Sequence, residues 1–242
     1  MTLFADERDI PDNGTRANFV FMGYPFDPPL PRDDYGAVVL ELQDELPIRF
    51  WYFLDEVTTD EMMRKIWRAV LRADLAVFDI TGGNPNVAFE LGLAVAINKR
   101  CMTVLKVGGA NPLGTADLGY AERIEYSSAA TLKDRLLAFT KAQCSALRTL
   151  SGVSYDLHPS AQDMTREDVY ERILKVVSKV FRSKHITKSQ ASRIMGNDQL
   201  ASAVLQGLRR KEILQVEGER RGARWVFTDK WAYHDHDVSG VA

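Results

Sequence analysis

Two carboxylates beside a short glycine turn are the side chains of this sequence that best suit chemistry. Asp79 lies near the end of an apolar run, and the turn sequence Thr-Gly-Gly-Asn-Pro follows it at 81–85. Glu90 interrupts a segment, 87–97, in which every other residue is apolar or glycine. Because an ionised carboxylate in apolar surroundings loses hydration unless it is paired or faces a cavity, Glu90 indicates a site rather than a packing position.

The residues around these carboxylates indicate one shared pocket. Asn84 is a good N-cap and Pro85 suits the first helical position, so we expect a helix to begin there. Asn86 lies four positions before Glu90 and therefore on the same helical face. Because this helix begins where the strand with Asp79 ends, both carboxylates are expected to approach the same pocket.

The glycine turn suggests a further kind of ligand contact. Gly82 and Gly83 permit a tight turn with close backbone approach, and exposed amides at the helix N-terminus suit a phosphate or another anionic group. Two structural alternatives stay open at this point. Asp79 could simply hold the turn, and Glu90 could pair with a basic residue such as Arg68, Arg72 or Arg100.

Alternating strands and helices are predicted to position this segment. Apolar runs bounded by turn residues predict five strands, at 18–23, 48–54, 75–80, 101–107 and 123–126. Apolar residues at helical spacing predict four helices, at 33–46, 58–71, 84–98 and 132–139. Such alternation is typical of an α/β fold with a parallel sheet covered by helices on both faces, in which ligands bind beyond the carboxyl ends of the strands. The apolar run within 84–98 further predicts that this helix is surrounded by protein on most sides.

Three segments of this α/β region carry a resemblance to a known superfamily. They are 19–27, which ends in Pro-Phe-Asp, 73–81, which reads Ala-Asp-Leu-Ala-Val-Phe-Asp-Ile-Thr, and 84–92, which contains Asn-Pro-Asn-Val and Phe-Glu-Leu-Gly. Together they resemble the nucleoside 2-deoxyribosyltransferase-like and TIR-like superfamily over roughly residues 17–140. The resemblance implies a flavodoxin-like parallel sheet. It also implies cleavage or exchange of the N-glycosidic bond of nucleosides or nucleotides, including NAD in the TIR branch.

The same resemblance implies roles for individual residues. Glu90 would occupy the position of the family's catalytic glutamate, and Asp79 would lie near the base or the sugar. The loop after the first strand would form a pocket wall, so the implied substrate-binding residues are Tyr24, Pro25, Phe26, Asp27, Thr81, Gly82, Gly83, Asn84 and Asn86. Deoxyribosyltransferases carry an aspartate a little upstream of their glutamate, and this chain departs from them by having Asn84 there.

A mechanism follows from the resemblance as a hypothesis. Glu90 would stabilise positive charge at C1′ of the sugar or attack C1′ to form a glycosyl-enzyme. Asp79 would donate a proton to the leaving base or position that base. NAD is one candidate substrate, because its nicotinamide is already cationic and leaves without protonation. Water as acceptor makes the enzyme a glycosidase and a second base makes it a transferase. We expect no metal and no cofactor.

The chain from 167 to 233 predicts a second, smaller unit. Helical spacing predicts three helices, at 168–181, 187–194 and 199–210, and two strands follow at 214–216 and 224–227. This order resembles a winged helix-turn-helix domain, in which the third helix enters the major groove and the wing contacts phosphate. The resemblance implies nucleic-acid contacts by Gln199, Ser202, Gln206, Arg209, Arg220 and Arg221. Winged helices also bind proteins, so DNA and a protein partner both stay open.

The charge distribution agrees with two units that have different partners. Residues 1–164 contain 16 basic and 23 acidic residues, whereas residues 165–242 contain 15 basic and 10 acidic residues. A basic small unit is typical of contact with a phosphate backbone. The stretch from Ser151 to Arg166 is polar, which predicts a linker. The predicted organisation is therefore a tail at 1–16, domains at 17–147 and 167–233 joined by a linker at 148–166, and a tail at 234–242.

Composition narrows the class of protein further. With 242 residues, of which 45% are hydrophobic and 26% charged, the chain matches an ordinary globular protein and excludes disordered and collagen-like classes. We expect no membrane span and no secretory signal, because no long apolar run and no basic N-terminal segment occur. The two cysteines have unrelated spacing, which excludes a disulfide framework and a cysteine-based zinc site. These features predict a cytoplasmic protein.

Two functions of different classes are compatible with this sequence. The first is an enzyme that cleaves an N-glycosidic bond through Glu90, either constitutively or as an antiviral effector activated by a partner. The second is a regulator that senses a nucleotide without turnover and binds DNA through its winged helix. Because sites in the deoxyribosyltransferase family are often completed by a neighbouring subunit, we also expect a homo-oligomer.

Overall fold

The computed structural model describes residues 16–25, 30, 32–52, 59–110, 122–157, 164–219, 223–229 and 231. Of these, the residues up to Tyr35 and from Phe50 to Arg135 form one compact unit. The residues from Gly36 to Arg49 and from Leu136 onward form the other. Apart from Arg16, the predicted tails lie outside the described residues.

A five-stranded parallel sheet forms the centre of the first unit. Its strands are β1 (Arg16–Gly23), β2 (Arg49–Tyr52), β3 (Ala73–Asp79), β4 (Cys101–Lys106) and β5 (Glu122–Tyr126). They are arranged in the order β2-β1-β3-β4-β5. Gly23 lies opposite Phe78, and Asp79 lies opposite Val104, so the carboxyl ends of β1, β3 and β4 meet at one edge of the sheet.

The central position of β3 in the sheet is reflected in the burial of its side chains. Successive side chains of a strand point to opposite faces of the sheet, and every β3 residue except Asp74 is buried. Both faces of the sheet are therefore covered at this strand, which is why its sequence is a continuous apolar run rather than an alternating one. The predicted α/β class with a parallel sheet is confirmed.

Four helices accompany the strands: α1 (Arg32–Glu45), α2 (Thr59–Arg72), α3 (Pro85–Ala96) and α4 (Ala129–Gln143). The junction between α2 and β3 is closed by the Lys99 ammonium group. Lys99 Nζ donates hydrogen bonds to the carbonyls of Leu71 and Ala73, at 2.9 and 2.6 Å. These carbonyls lack helical partners because α2 ends there, and the lysine satisfies them.

Only one side of α3 is buried, which differs from the expectation of a helix enclosed by protein. Val87, Leu91 and Ala94 are buried, and the helix packs against β1, β3 and β4. Phe89 is 46% exposed, and Gly92 is exposed with nothing within 4 Å of the Cβ position. Part of the apolar run, including Phe89 and Gly92, therefore lies on an open face, and composition alone overestimates the burial of this helix.

Most of α1 and the second half of α4 belong to the second unit. Four further helices and a hairpin also belong to it. They are α5 (Ser145–Leu157), α6 (Arg166–Ser183), α7 (Lys188–Met195), α8 (Asp198–Arg210), β6 (Leu214–Glu217) and β7 (Arg224–Phe227). The strands pair antiparallel, and Ile186, which lies between α6 and α7, forms a bridge with Trp225 of β7. Thr165, Thr187 and Asn197 cap the starts of α6, α7 and α8 with their side chains.

The structure differs from the predicted linker at 148–166. Up to Leu157 this stretch is the helix α5, which packs against α6 and α8. Leu147, Leu150 and Val153 are almost fully buried at helical spacing. The serines and the glycine between them gave the stretch its polar composition, but three- and four-residue apolar spacing outweighs composition when a helix has a core to pack on. No helix in the described part of the chain is both long and apolar enough to cross a membrane.

A pair of alanine substitutions tests the helical assignment of α5. We expect Leu150→Ala to lower the free energy of unfolding by about 2–5 kcal/mol, because the side chain is fully buried. The control is Arg148→Ala, an exposed position of the same helix, which should change stability by less than about 0.5 kcal/mol. Chemical denaturation measures both variants. Equally small effects would indicate a linker instead of a packed helix.

Candidate functional site

The order of the strands creates a topological switch point at the carboxyl edge of the sheet. After β1 the chain crosses to β2 on one side, whereas β3, the other neighbour of β1, leads on to β4 on the opposite side. In open α/β sheets, ligands bind at such a switch point, beyond the carboxyl ends of the strands. Gly23 ends β1 and Asp79 ends β3, so both residues lie at this point.

The Glu90 carboxylate lies directly against the backbone of Gly23. A Cβ atom placed on Gly23 would be 2.5 Å from Glu90 Oε2 and 2.8 Å from Cδ1 of Phe78. No side chain larger than hydrogen fits there without displacing one of these neighbours. The glycine at the end of β1 is therefore what allows α3 to place a carboxylate over the strand end.

No described residue neutralises this carboxylate. Glu90 forms no hydrogen bond or ion pair with any residue that the structure describes, so the alternative pairing with Arg68, Arg72 or Arg100 does not occur. The side chain is half-buried, and burial alone raises the pKa of its carboxyl to about 7. A group with this environment can exchange its proton at neutral pH.

In contrast to Glu90, the Asp79 carboxylate is surrounded by hydrogen-bond donors. Its side chain is fully buried and accepts hydrogen bonds from the Tyr35 hydroxyl, from the Tyr126 hydroxyl at 2.6 Å and from the Thr81 amide at 2.9 Å. The two tyrosine hydroxyls are themselves 2.9 Å apart. Burial, followed by the negative charge of Asp79, raises the pKa of both tyrosines, so both keep their protons and can donate them.

Strand alternation places the Asp79 side chain and the Glu90 carboxylate on opposite sides of the sheet where β1 and β3 end. Phe78 and Glu90 meet over the same side of Gly23, and the side chain after Phe78 in β3 points to the other side. That next side chain is Asp79, beside Tyr35 and Tyr126. Consistently, burial is the cause of the raised pKa of Glu90, with no contribution from the charge of Asp79.

The turn after β3 is tied to the loop after β4. Thr81 Oγ1 accepts a hydrogen bond from the Lys106 amide at 2.8 Å, and the Gly82 amide donates to the Ala110 carbonyl at 2.8 Å. Gly82 and Gly83 have φ values of 77° and 65°, in the left-handed region that favours glycine. The predicted tight turn is therefore present.

The amides at the start of α3 that were expected to bind an anion donate to a side chain of the same chain. The Asn84 side-chain oxygen accepts hydrogen bonds from the amides of Asn86 at 2.9 Å and Val87 at 3.3 Å. Asn84 therefore acts as the predicted N-cap and its oxygen replaces an external anion at these amides. The side chain of Asn86 is exposed.

Aromatic rings line the other face of the same edge. The Tyr24 ring stacks on Tyr35, with centroids 5.1 Å apart and an angle of 11°, and contacts Tyr52 at 5.7 Å and 50°. Pro25, next to Tyr24, is buried. The predicted wall residues Phe26 and Asp27 lie outside the described residues.

Sequence reasoning missed several residues that build this edge, namely Gly23, Tyr35, Tyr52 and Tyr126. In the sequence, Tyr35 lies in the predicted helix 33–46, and Tyr52 and Tyr126 lie in the predicted strands 48–54 and 123–126. Tyr35 and Tyr126 lie 44 and 47 positions from Asp79 in the chain, and no local pattern records contacts at that separation. A buried aspartate in an apolar strand is the one signal that donors had to converge on it.

In the second unit, α8 presents a polar stripe. Gln199, Gln206 and Arg209 are exposed, and Ser202 is half-buried with its hydroxyl donated to the Asp198 carbonyl at 2.8 Å. The predicted Arg220 and Arg221 lie outside the described residues. An open groove of about 840 Å³ adjoins the start of α8 and is lined by Lys188, Ser189, Ser192, Arg193, Gly196, Asn197 and Asp198.

Neither metal clusters nor known relatives narrow the chemistry further. Among the described residues, no three His, Cys, Asp or Glu side chains come close enough to hold a metal ion. No model of a known protein family matches this chain, and no curated protein sequence matches it. The geometry of the two units is therefore what supports a proposal about function.

The environment of Glu90 predicts a specific pH dependence of stability. Because its pKa rises from 4.5 to about 7 on folding, the native protein holds this proton more tightly than the unfolded chain between these values. Ionisation of Glu90 in the native state therefore costs stability as the pH rises through this window. We expect Glu90→Gln to be more stable than wild type by about 1–3 kcal/mol at about pH 8, and this advantage to disappear near pH 4.

Chemical denaturation at several pH values measures the difference between the two proteins. The matched control is Glu217→Gln, an exposed position of the hairpin, whose difference from wild type should stay constant over the same range. A constant difference for Glu90→Gln as well would mean that the carboxylate is solvated or paired in solution.

Proposed function

We propose that the first unit cleaves the N-glycosidic bond of a nucleotide or nucleoside, with Glu90 as the carboxylate that acts at C1′ of the sugar. The observation that carries this proposal is a half-buried carboxylate without a described partner at the switch point of a parallel sheet. The strand order β2-β1-β3-β4-β5 is that of flavodoxin-like folds, which supports the resemblance found in the sequence.

The chemistry of this bond suits a single carboxylate. When the C1′–N bond breaks, its electron pair leaves with the base and positive charge develops on the sugar ring. An ionised Glu90 stabilises that charge or attacks C1′ to form a glycosyl-enzyme. Water then adds to C1′ and loses a proton to solvent, which completes hydrolysis. A second base in place of water completes a transfer.

The surroundings of Glu90 favour one class of leaving base. A neutral base needs a proton to leave, whereas the nicotinamide of NAD is cationic in the substrate and leaves as a neutral molecule. No charge on a described residue perturbs the pKa of Glu90, from which we infer that no second described carboxylate lies beside it. We therefore expect an N-glycoside with a cationic base, such as NAD, to be cleaved faster than a neutral nucleoside.

Release of free base from NAD and from a panel of nucleosides tests this proposal. We expect Glu90→Gln to lower kcat by about 10²–10³-fold, the effect typical of removing one stabiliser of transition-state charge. In the wild type, kcat should rise with pH through about 7, because the ionised carboxylate is the active form. Equal activity of the wild type and Glu90→Gln would exclude the proposed role.

Two glycine variants provide a matched pair for the same assay. Gly23→Ala would displace the Glu90 carboxylate or the Phe78 ring, and its φ does not lie in the left-handed region, so the backbone tolerates alanine. We expect it to reduce turnover while the protein stays folded. Gly92→Ala, on α3 with nothing within 4 Å, should leave turnover unchanged. If the two variants behave alike, the contact between Gly23 and Glu90 is irrelevant to activity.

DNA binding by the second unit is a further candidate function, favoured by charge and exposure. Between 184 and 211 the chain has six Lys or Arg residues and one acidic residue, Asp198. Gln199, Gln206 and Arg209 share one exposed face of α8, as expected for a helix that enters a groove. The order of three helices and a hairpin agrees with the winged helix-turn-helix resemblance. We propose that this face contacts duplex DNA.

Binding to duplex DNA at several salt concentrations tests the second candidate. We expect Arg209→Ala to weaken binding and to reduce the slope of log K against log salt by about 1, because one phosphate contact is lost. The control is Lys175→Ala, an exposed lysine of α6, which should leave the slope unchanged. Binding without salt dependence, or not at all, would favour a protein partner for this face.

Together, the turnover and DNA-binding assays distinguish an enzyme from a regulator. Tight binding of a nucleotide without turnover, together with salt-dependent DNA binding, would identify a nucleotide-sensing regulator. Turnover that appears only after a partner is added would identify an activated effector such as one acting in antiviral defence. In both cases we propose a cytoplasmic homo-oligomer, as expected from the sequence.

A further inference from the structure

We propose that Asp79 is a positioning residue rather than the proton donor, and that Tyr35, Asp79 and Tyr126 together hold the backbone segments that place the Glu90 carboxylate. We refer to these three residues as the tyrosine–aspartate cluster. The inference rests on the proposed function of Glu90. It revises the role that the superfamily resemblance implies for Asp79.

Three hydrogen-bond donors surround the Asp79 carboxylate. Oδ2 accepts the hydroxyls of Tyr35 and Tyr126, and Oδ1 accepts the amide of Thr81. An ionised carboxylate is an acceptor only, so three donors match its anionic form. A general acid needs a proton on an oxygen that faces the substrate, whereas the oxygens of Asp79 face donors inside the protein.

Thr81 connects Asp79 to the start of α3. Thr81 donates its amide to Asp79 and accepts the Lys106 amide on its hydroxyl at 2.8 Å. A Cβ atom on Gly109 would be 2.5 Å from Cγ2 of Thr81, so the loop after β4 lies tightly against this residue. The same turn continues to Asn84, which caps α3, and Glu90 follows six positions later. A shift of Thr81 would therefore move the helix that carries the carboxylate.

Tyr35 connects the cluster to the end of β1. The ring of Tyr35, whose hydroxyl binds Asp79, stacks on Tyr24. Tyr24 directly follows Gly23, against which the Glu90 carboxylate lies. The cluster thus supports both segments that position Glu90: the strand end beneath the carboxylate and the turn that starts its helix.

The loss of kcat in variants of the cluster, compared between substrates with different leaving bases, distinguishes positioning from proton donation. If Asp79 positions, Asp79→Asn and Tyr126→Phe should both lower kcat for NAD and for a neutral nucleoside by the same factor, about 10- to 100-fold for a displaced group. If Asp79 donates the proton, Asp79→Asn should impair the neutral nucleoside far more than NAD. That unequal loss would overturn the inference. Tyr155→Phe, at an exposed tyrosine of α5, is the control and should change neither rate.

Amide hydrogen exchange provides a readout that does not depend on turnover. We expect the amides of Thr81, Gly82 and Lys106 to exchange faster in Tyr126→Phe and Asp79→Asn than in wild type, while amides of α6 stay unchanged. Tyr126→Phe removes one hydroxyl only and guards against a folding defect of the aspartate variant. Unchanged exchange at the three amides in both variants would refute the positioning role.

The two proposals fail in different ways. If the wild-type protein cleaves none of the substrates, or if Glu90→Gln keeps full activity, the proposed function fails while faster exchange still demonstrates that the cluster holds the loops. If Glu90→Gln is inactive but the cluster variants lose activity only toward neutral bases, the proposed function stands and the positioning role is wrong.

Discussion

The contact between the Glu90 carboxylate and the bare backbone of Gly23 is the constraint on which the candidate site depends. A carboxylate that is half-buried without a described partner loses hydration, which its raised pKa reports. The packing of α3 on the sheet holds the group there despite this cost, through Val87, Leu91 and Ala94. Any larger residue at Gly23 would compete with the carboxylate for the same space. The end of β1 and the helix α3 therefore fit together only because Gly23 has no Cβ atom.

The two carboxylates at this edge illustrate how environment rather than residue type assigns a role. Asp79 is fully buried but is surrounded by three hydrogen-bond donors, which compensate the loss of water. Glu90 is less buried but has no donor among the described residues. A satisfied carboxylate stabilises structure, and an unsatisfied one retains the capacity to interact with a developing positive charge. Alternation along β3 separates these two environments by placing them on opposite faces of the sheet.

The second unit shows where composition misleads and periodicity does not. Its three predicted helices and hairpin agree with the structure to within two residues at each end, because apolar residues at helical spacing are a local signal. The helix α5 replaces the linker that polar composition predicts, because Leu147, Leu150 and Val153 recur at helical spacing. Burial of these side chains outweighs the polar residues between them. Composition is misleading for α3 as well, because its apolar residues predict burial on most sides although one face is exposed.

The sequence by itself determined the elements of this protein other than α5, the α/β class, the turn at 81–85 with its N-cap, and Glu90 as an anomaly in an apolar helix. These features depend on periodicity and on neighbours within about four residues, which a single chain displays directly. Tertiary structure alone decided that Asp79 is satisfied by Tyr35 and Tyr126 and that Glu90 lies over Gly23. Such contacts join residues 44 to 67 positions apart, and they depend on strand order and register, which local patterns do not encode.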